Sequence, residues 1–140
     1  MANSLGLLAQ TSSLVDAQRF LVEWWDARSL PEEARFTFEL AVEELFVNIA
    51  THGQAALDRD VNVELQLEWL GTPDNKVILT INDDGPQFDP TARETPDTGA
   101  PLDDRTTGGL GIHLTRSLMD SVTYCAINGR NQLRLEKRLV

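Results

Sequence analysis

An α+β sandwich, with helices on one face of a mainly antiparallel sheet, is the architecture this sequence predicts. Three observations carry that expectation. Candidate elements follow the order β-α-α-β-β-loop-α-β-β. The later strand candidates come as pairs joined by turn-forming segments, which suits antiparallel neighbours. Neither an internal repeat nor a linker interrupts the 140 residues, so one domain spanning 1–140 is expected.

Residues 4–10 read as a short edge strand. Thr11, Ser12 and Ser13 then offer N-caps for a first helix, in which Leu14, Val15, Phe20, Leu21, Trp24 and Trp25 recur at roughly helical spacing. The segment Ser29-Leu30-Pro31-Glu32-Glu33 combines a cap, a first-turn proline and acids suited to a helix N-terminus. It predicts a second helix from Pro31 to His52, ended by Gly53. Val61, Val63, Leu65 and Leu67 alternate with polar residues as in a half-buried strand. Gly71–Asn75 reads as a hairpin loop, and Val77–Ile81 as the return strand. Residues 91–107 hold prolines, threonines and aspartates with little to bury, and a loop of that length in a small domain is usually functional or mobile. A helix over 109–120 and strands near 121–128 and 132–139, joined by the turn Asn128-Gly129-Arg130-Asn131, complete the chain.

Composition narrows the function. The formal charge of −10 disfavours nucleic-acid binding, which requires a basic surface. No stretch reaches the roughly 20 apolar residues of a membrane span, and the N-terminus lacks a secretory pattern, so a cytoplasmic location is expected. The single cysteine, Cys125, excludes an internal disulfide framework and, within the run VTYCAI, reads as a buried strand residue.

Three blocks carry chemistry. In EELFVNIATHG, Glu44, Asn48 and His52 recur every fourth residue; at about 100° per residue they share an arc of roughly 80°. Thr37 and Ala41 lie on that arc. Phe38, Val42, Leu45, Phe46 and Ile49 form one flank, and Leu40 and Val47 the other. A polar stripe between two apolar flanks predicts a helix buried on both sides with the stripe facing a cavity, where small Ala41 leaves room for a ligand. A solvated stripe with a Glu–Asn contact is the alternative. Glu43 points away and reads as a surface acid.

In NDDGPQFDP, a strand ends in Asp83, Asp84 and Gly85. A carboxylate there can accept a hydrogen bond from an exocyclic amine such as that of adenine, and glycine admits a flat base; a plain turn is the alternative. In GGLGIHL, Gly108, Gly109, Leu110 and Gly111 open a helix, where unpaired backbone N–H groups can bind phosphate oxygens; again a plain turn is the alternative. His113 reads as a packing or surface residue, and Arg116 as a helix-face cation able to reach a phosphate.

In this order the blocks resemble the ATPase superfamily of gyrase, heat-shock chaperone, histidine-kinase and mismatch-repair proteins (GHKL). They resemble most its stand-alone branch of anti-sigma-factor serine/threonine kinases of the RsbW type. The resemblance covers about residues 12–140: LAVEELFVNIATHG as N-box, INDDGPQFDP as G1 box, GGLGIHLTRSLMDSVTY and GRNQLRLEKRL as G2 box and closing hairpin. It implies a Bergerat-type two-layer sandwich that binds ATP and Mg²⁺. By position it makes Glu44 the general base, and Asn48 the Mg²⁺ ligand through its side-chain carbonyl. His52 becomes a possible phosphate contact, Asp83 the acceptor of the adenine amine, and Gly85 a neighbour of the base. Gly108, Gly109, Leu110 and Gly111 would line the triphosphate, with 91–107 as lid. The G1 box usually has a second glycine where Gln87 stands, and the G2 box often has one at Thr107. With neither a phosphoacceptor-histidine segment nor a transducer domain in evidence, a sensor kinase, topoisomerase or mismatch-repair ATPase is disfavoured. The implied activity is phosphorylation of an anti-sigma-factor antagonist by a homodimer that alternately sequesters a sigma factor. An ATP-gated binding module, a bare ATPase and a nucleotide-free structural protein are the rivals.

Overall fold

The computed structural model describes residues 3–56, 59–92 and 107–139. It contains strands β1 (Ser4–Leu8), β2 (Asn62–Leu70), β3 (Lys76–Asp83), β4 (Ser121–Ile127) and β5 (Arg130–Arg138), and helices α1 (Leu14–Ala27), α2 (Glu32–Ala56) and α3 (Thr107–Leu118). The strands form one five-stranded sheet in the order β1-β2-β3-β5-β4, every neighbouring pair antiparallel. This is the α+β sandwich expected from the element order.

Alternation fixes which face is covered. Leu65, Ile81 and Leu133 lie in register across β2, β3 and β5, as do Leu67, Leu79 and Leu135. All six are buried in the core. The intervening residues, among them Glu64, Gln66, Asn82, Gln132 and Arg134, occupy the opposite, polar face. From the helices, Leu21, Trp24, Trp25, Phe38, Val42 and Phe46 fill the space above the sheet. Each contributes about 1.5–3 kcal/mol by leaving water. Trp25 and Phe38 meet with ring centroids 5.5 Å apart, and the Trp25 indole N–H donates to the Pro31 carbonyl at 2.9 Å, locking α1 to the start of α2. Arg35 reinforces the junction with bonds to Asp26 (2.9 Å) and Glu32 (3.3 Å).

Several local expectations need correction. The hydroxyls of residues 11–13 do not cap α1: a turn of 3-10 helix, Thr11–Ser13, leads straight into it, and Ser13 makes no side-chain capping bond. Ser29 does not introduce α2 as a cap. It adopts φ 53° and closes α1 through its N–H to the Asp26 carbonyl. Nor does Gly53 end α2, which continues to Ala56. An interior glycine costs a helix only about 1 kcal/mol, and the following Gln-Ala-Ala are good helix formers.

Cys125 is exposed rather than buried. In the edge strand β4, Val122 and Tyr124 face the core, which turns Cys125 outward opposite Gln132. The final hairpin is tighter than expected: only Asn128 (φ 51°) and Gly129 (φ 75°) form its loop, so Asn131 belongs to β5. Of the expected lid, 93–106 lies outside the described residues. Its flanks are a 3-10 turn, Pro90–Ala92, and the first residue of α3.

Candidate functional site

A cleft open to solvent lies between α2, the β3 end of the sheet and the loop after β3. Leu45, Asn48 and Ile49 line it from α2; Ile81 and Asp83 from β3; Gly85, Pro86, Phe88 and Pro90 from the loop. Tyr124, Asn131 and Leu133 close it from β4 and β5. Its wall is mainly apolar with a few polar groups, the usual character of a small-molecule site.

The helical stripe reaches this cleft in part. Asn48 lines it, and the Asn48 side-chain nitrogen is buried without a hydrogen-bond partner. An unsatisfied buried amide carries a cost of about 1–3 kcal/mol that a ligand can relieve. Glu44, one turn earlier, is half-buried, and its carboxyl is pushed above the ordinary carboxylate range by burial and, secondarily, by neighbouring Glu43. Glu43 is exposed, as expected of a surface acid. His52 lies in α2, but its side chain falls outside what the structure describes.

Burial on both flanks of α2 is not observed. Phe38, Val42, Leu45 and Phe46 are core residues, whereas Leu40 is half-exposed and Val47 exposed, because the helices form a single layer with an open back. Ala41 is fully buried in the core rather than on the cleft wall.

The two adjacent acids separate cleanly. Asp84 turns outward, where Asn62 donates to it from its backbone N–H (2.7 Å) and side chain (3.0 Å) and Arg59 adds a bond at 3.3 Å. Burial pushes its carboxyl up, but these donors outweigh it and hold Asp84 below the ordinary range. Asp83 turns inward and is 7% exposed. Its Oδ1 accepts the Gly85 N–H at 2.9 Å and the Asn131 side-chain N–H at 3.0 Å. Burial is the larger influence, and the Asp83 carboxyl lies above the ordinary range. Of the two adjacent acids, Asp83 is the one that lines the cleft.

Gly108, Gly109 and Leu110 fall in the first turn of α3, with Gly111 just after. The first four backbone N–H groups of a helix lack intrahelical acceptors, which leaves donors at this end; the surroundings of 108–111 lie outside the described residues. Arg116 donates from Nη1 to the Thr91 carbonyl at 3.1 Å, at the leading flank of the expected lid. His113 is exposed.

Among the described residues no group of three or more His, Cys, Asp or Glu is placed to hold a metal ion. Apart from Asp83, the cleft offers the Asn48 side chain, with Glu44 one turn away on the same helix. So small a protein donor set suits an ion such as Mg²⁺, which retains waters and takes phosphate oxygens. None of the described helices is long and apolar enough to cross a membrane.

Two polar residues of the cleft, Asn131 and Tyr124, escaped the sequence reading. Asn131 looked like a turn former, and Tyr124 like one more residue of an apolar strand. The available signal was Asn128-Gly129, a dipeptide suited to a two-residue hairpin loop, which would have placed Asn131 in register with inward-facing Leu133 and Leu135.

Comparison with known proteins agrees with this geometry. Residues 7–137 match the family described as histidine kinase-like ATPase domain. The chain is 32% identical over 111 residues to a protein of Bordetella bronchiseptica named serine/threonine-protein kinase BtrW, covering 79% of this chain and 72% of that one.

Proposed function

Because the chain belongs to the histidine kinase-like ATPase domain family, we propose that it is an Mg·ATP-dependent protein serine/threonine kinase acting as an anti-sigma factor. It phosphorylates a small anti-sigma-factor antagonist and, in the alternate complex, sequesters a sigma factor, working as a homodimer. The observation that carries the nucleotide reading is the pairing on one apolar cleft of an inward strand-end carboxylate, Asp83, with Asn48, whose side-chain nitrogen is buried without a partner. The name of the Bordetella relative supports protein-directed transfer.

Each group has a task. Asp83 accepts the base amine while Leu45, Ile49, Ile81 and Leu133 provide the apolar walls. Asn48 would hold Mg²⁺ through its carbonyl oxygen, and the ion would neutralise charge on the phosphates, a need sharpened by the net charge of −10. Glu44, with its affinity for a proton raised by burial, takes the proton of the partner's hydroxyl as the γ-phosphoryl group transfers. Positioning and charge neutralisation do most of the rest. The α3 N-terminus, at Gly108, Gly109, Leu110 and Gly111, meets the phosphates, with His52 a further contact.

A single-turnover assay with γ-labelled ATP and a candidate antagonist tests the reading. Label on a serine or threonine is the expected result. Nucleotide binding without transfer would instead identify an ATP-gated binding module, the reading favoured by the exposed Gln87 where the resembled motif has glycine.

A further inference from the structure

Asn131 uses its hydrogen-bonding capacity on Asp83, the loop that follows it and Tyr124 of β4. Its Nδ2 donates to Asp83 Oδ1 at 3.0 Å and to the Pro86 carbonyl at 3.0 Å, with the Gly85 carbonyl at 3.5 Å. Its Oδ1 accepts the Phe88 N–H at 3.2 Å and the Tyr124 hydroxyl. An asparagine side chain has two N–H donors and two acceptor lone pairs, so nothing is left over. The residue is 6% exposed, and rotating its amide would break bonds to five neighbours at once.

That arrangement has a consequence for Asp83. With Gly85 and Asn131 both bonded to Oδ1, the carboxylate cannot turn freely about its own axis, and Oδ2 is the oxygen left to a ligand. We propose that Asn131, backed by Tyr124, is a positioning residue that sets base selectivity, fixing Asp83 so that Oδ2 accepts from a 6-aminopurine and rejects a 6-oxopurine. The inference rests on the nucleotide reading of the cleft. A 6-oxopurine sets a carbonyl oxygen against the fixed carboxylate, acceptor against acceptor, with no rotation available to relieve it. Without the Asn131 donor, Asp83 turns, the loop through Pro86 and Phe88 loosens, and the two bases become harder to tell apart.

Calorimetric titration of ADP and of inosine diphosphate, each with Mg²⁺, into wild-type protein, Asn131→Leu and Tyr124→Phe tests this. Leucine keeps the branched shape of asparagine, with bulkier methyl groups, and removes all five bonds; phenylalanine removes only the hydroxyl's. The wild type is expected to prefer ADP, Asn131→Leu to lose about ten-fold of that preference, and Tyr124→Phe to lose less in the same direction. A residue that merely supports the fold would weaken both nucleotides equally and leave the ratio alone, and that result overturns the inference. Should Asn131→Leu fail to fold, an unchanged ratio in Tyr124→Phe overturns it as well. Wild-type protein that binds neither nucleotide sinks the nucleotide reading itself; a preference that survives both substitutions sinks only the role of Asn131.

Discussion

Asp83 accepts the backbone N–H of Gly85 on the same oxygen that a side chain at position 85 would strike. The bond measures 2.9 Å, and an ideal Cβ on Gly85 would lie 3.0 Å from Asp83 Oδ1 and 3.3 Å from Val61 Cγ1. A side chain at position 85 would therefore crowd the turn that holds the carboxylate, whether or not a ligand is bound. Gly85→Ala is expected to cost about 1–3 kcal/mol in denaturant unfolding and to weaken ADP binding by displacing Asp83. Unchanged stability and affinity would show that the loop yields without moving the acid.

Asp83→Asn separates ligand recognition from stability. Burial makes the folded state favour protonated Asp83, so its contribution to stability is greatest below the unfolded value near 3.8 and is lost as pH rises through the raised folded value. At pH 7 the charge is a cost, and the asparagine variant, whose carbonyl can still accept from Gly85 and Asn131, is expected to melt no lower than wild type. Its amide N–H₂ would oppose the base amine, weakening ADP about 100-fold. Calorimetry and thermal unfolding on one sample check both halves.

Glu44→Gln should leave ATP affinity near wild type and lower phosphotransfer by about 10²–10⁴-fold. A base works ionised, so transfer should rise with pH through the Glu44 pKa, which lies above the ordinary 4.5. Glu43 contributes to that elevation. Glu43→Gln is therefore expected to move the acid limb of the pH–rate profile to lower pH without abolishing activity. A limb that stays in place would remove Glu44 from the step.

The fold rests on Trp25, which is fully buried, meets Phe38 in a tilted ring contact and donates to the Pro31 carbonyl. Trp25→Ala is expected to cost about 3–5 kcal/mol by urea denaturation. A loss under 1 kcal/mol would mean that the α1–α2 junction is not part of the cooperative core.

How far the chain could be read depended on whether a residue's role was local. Leu65 and Leu67 declare their face through strict alternation, and Trp24 and Trp25 through helical spacing; both patterns are set by backbone geometry. Glu44 and Asn48 stood out because four-residue spacing aligns them wherever the helix packs. Asn131 did not, because asparagine beside Asn-Gly suits a turn as well as a strand, and only pairing with β3 brings it to Asp83. Cys125 was misjudged for the same reason: an apolar run says nothing of which face an edge strand turns to the helices. Ala41 is fully buried, and periodicity alone does not say what covers that face of the helix.

The most direct measurement is a crystal structure with Mg²⁺ and a non-hydrolysable ATP analogue. The adenine is expected between Ile49 and the Gly85–Phe88 loop, its exocyclic amine within hydrogen-bond reach of Asp83 and the ion on the Asn48 side chain. A nucleotide bound elsewhere, or a cleft filled by Tyr124 and Phe88 at saturating ligand, would contradict the account.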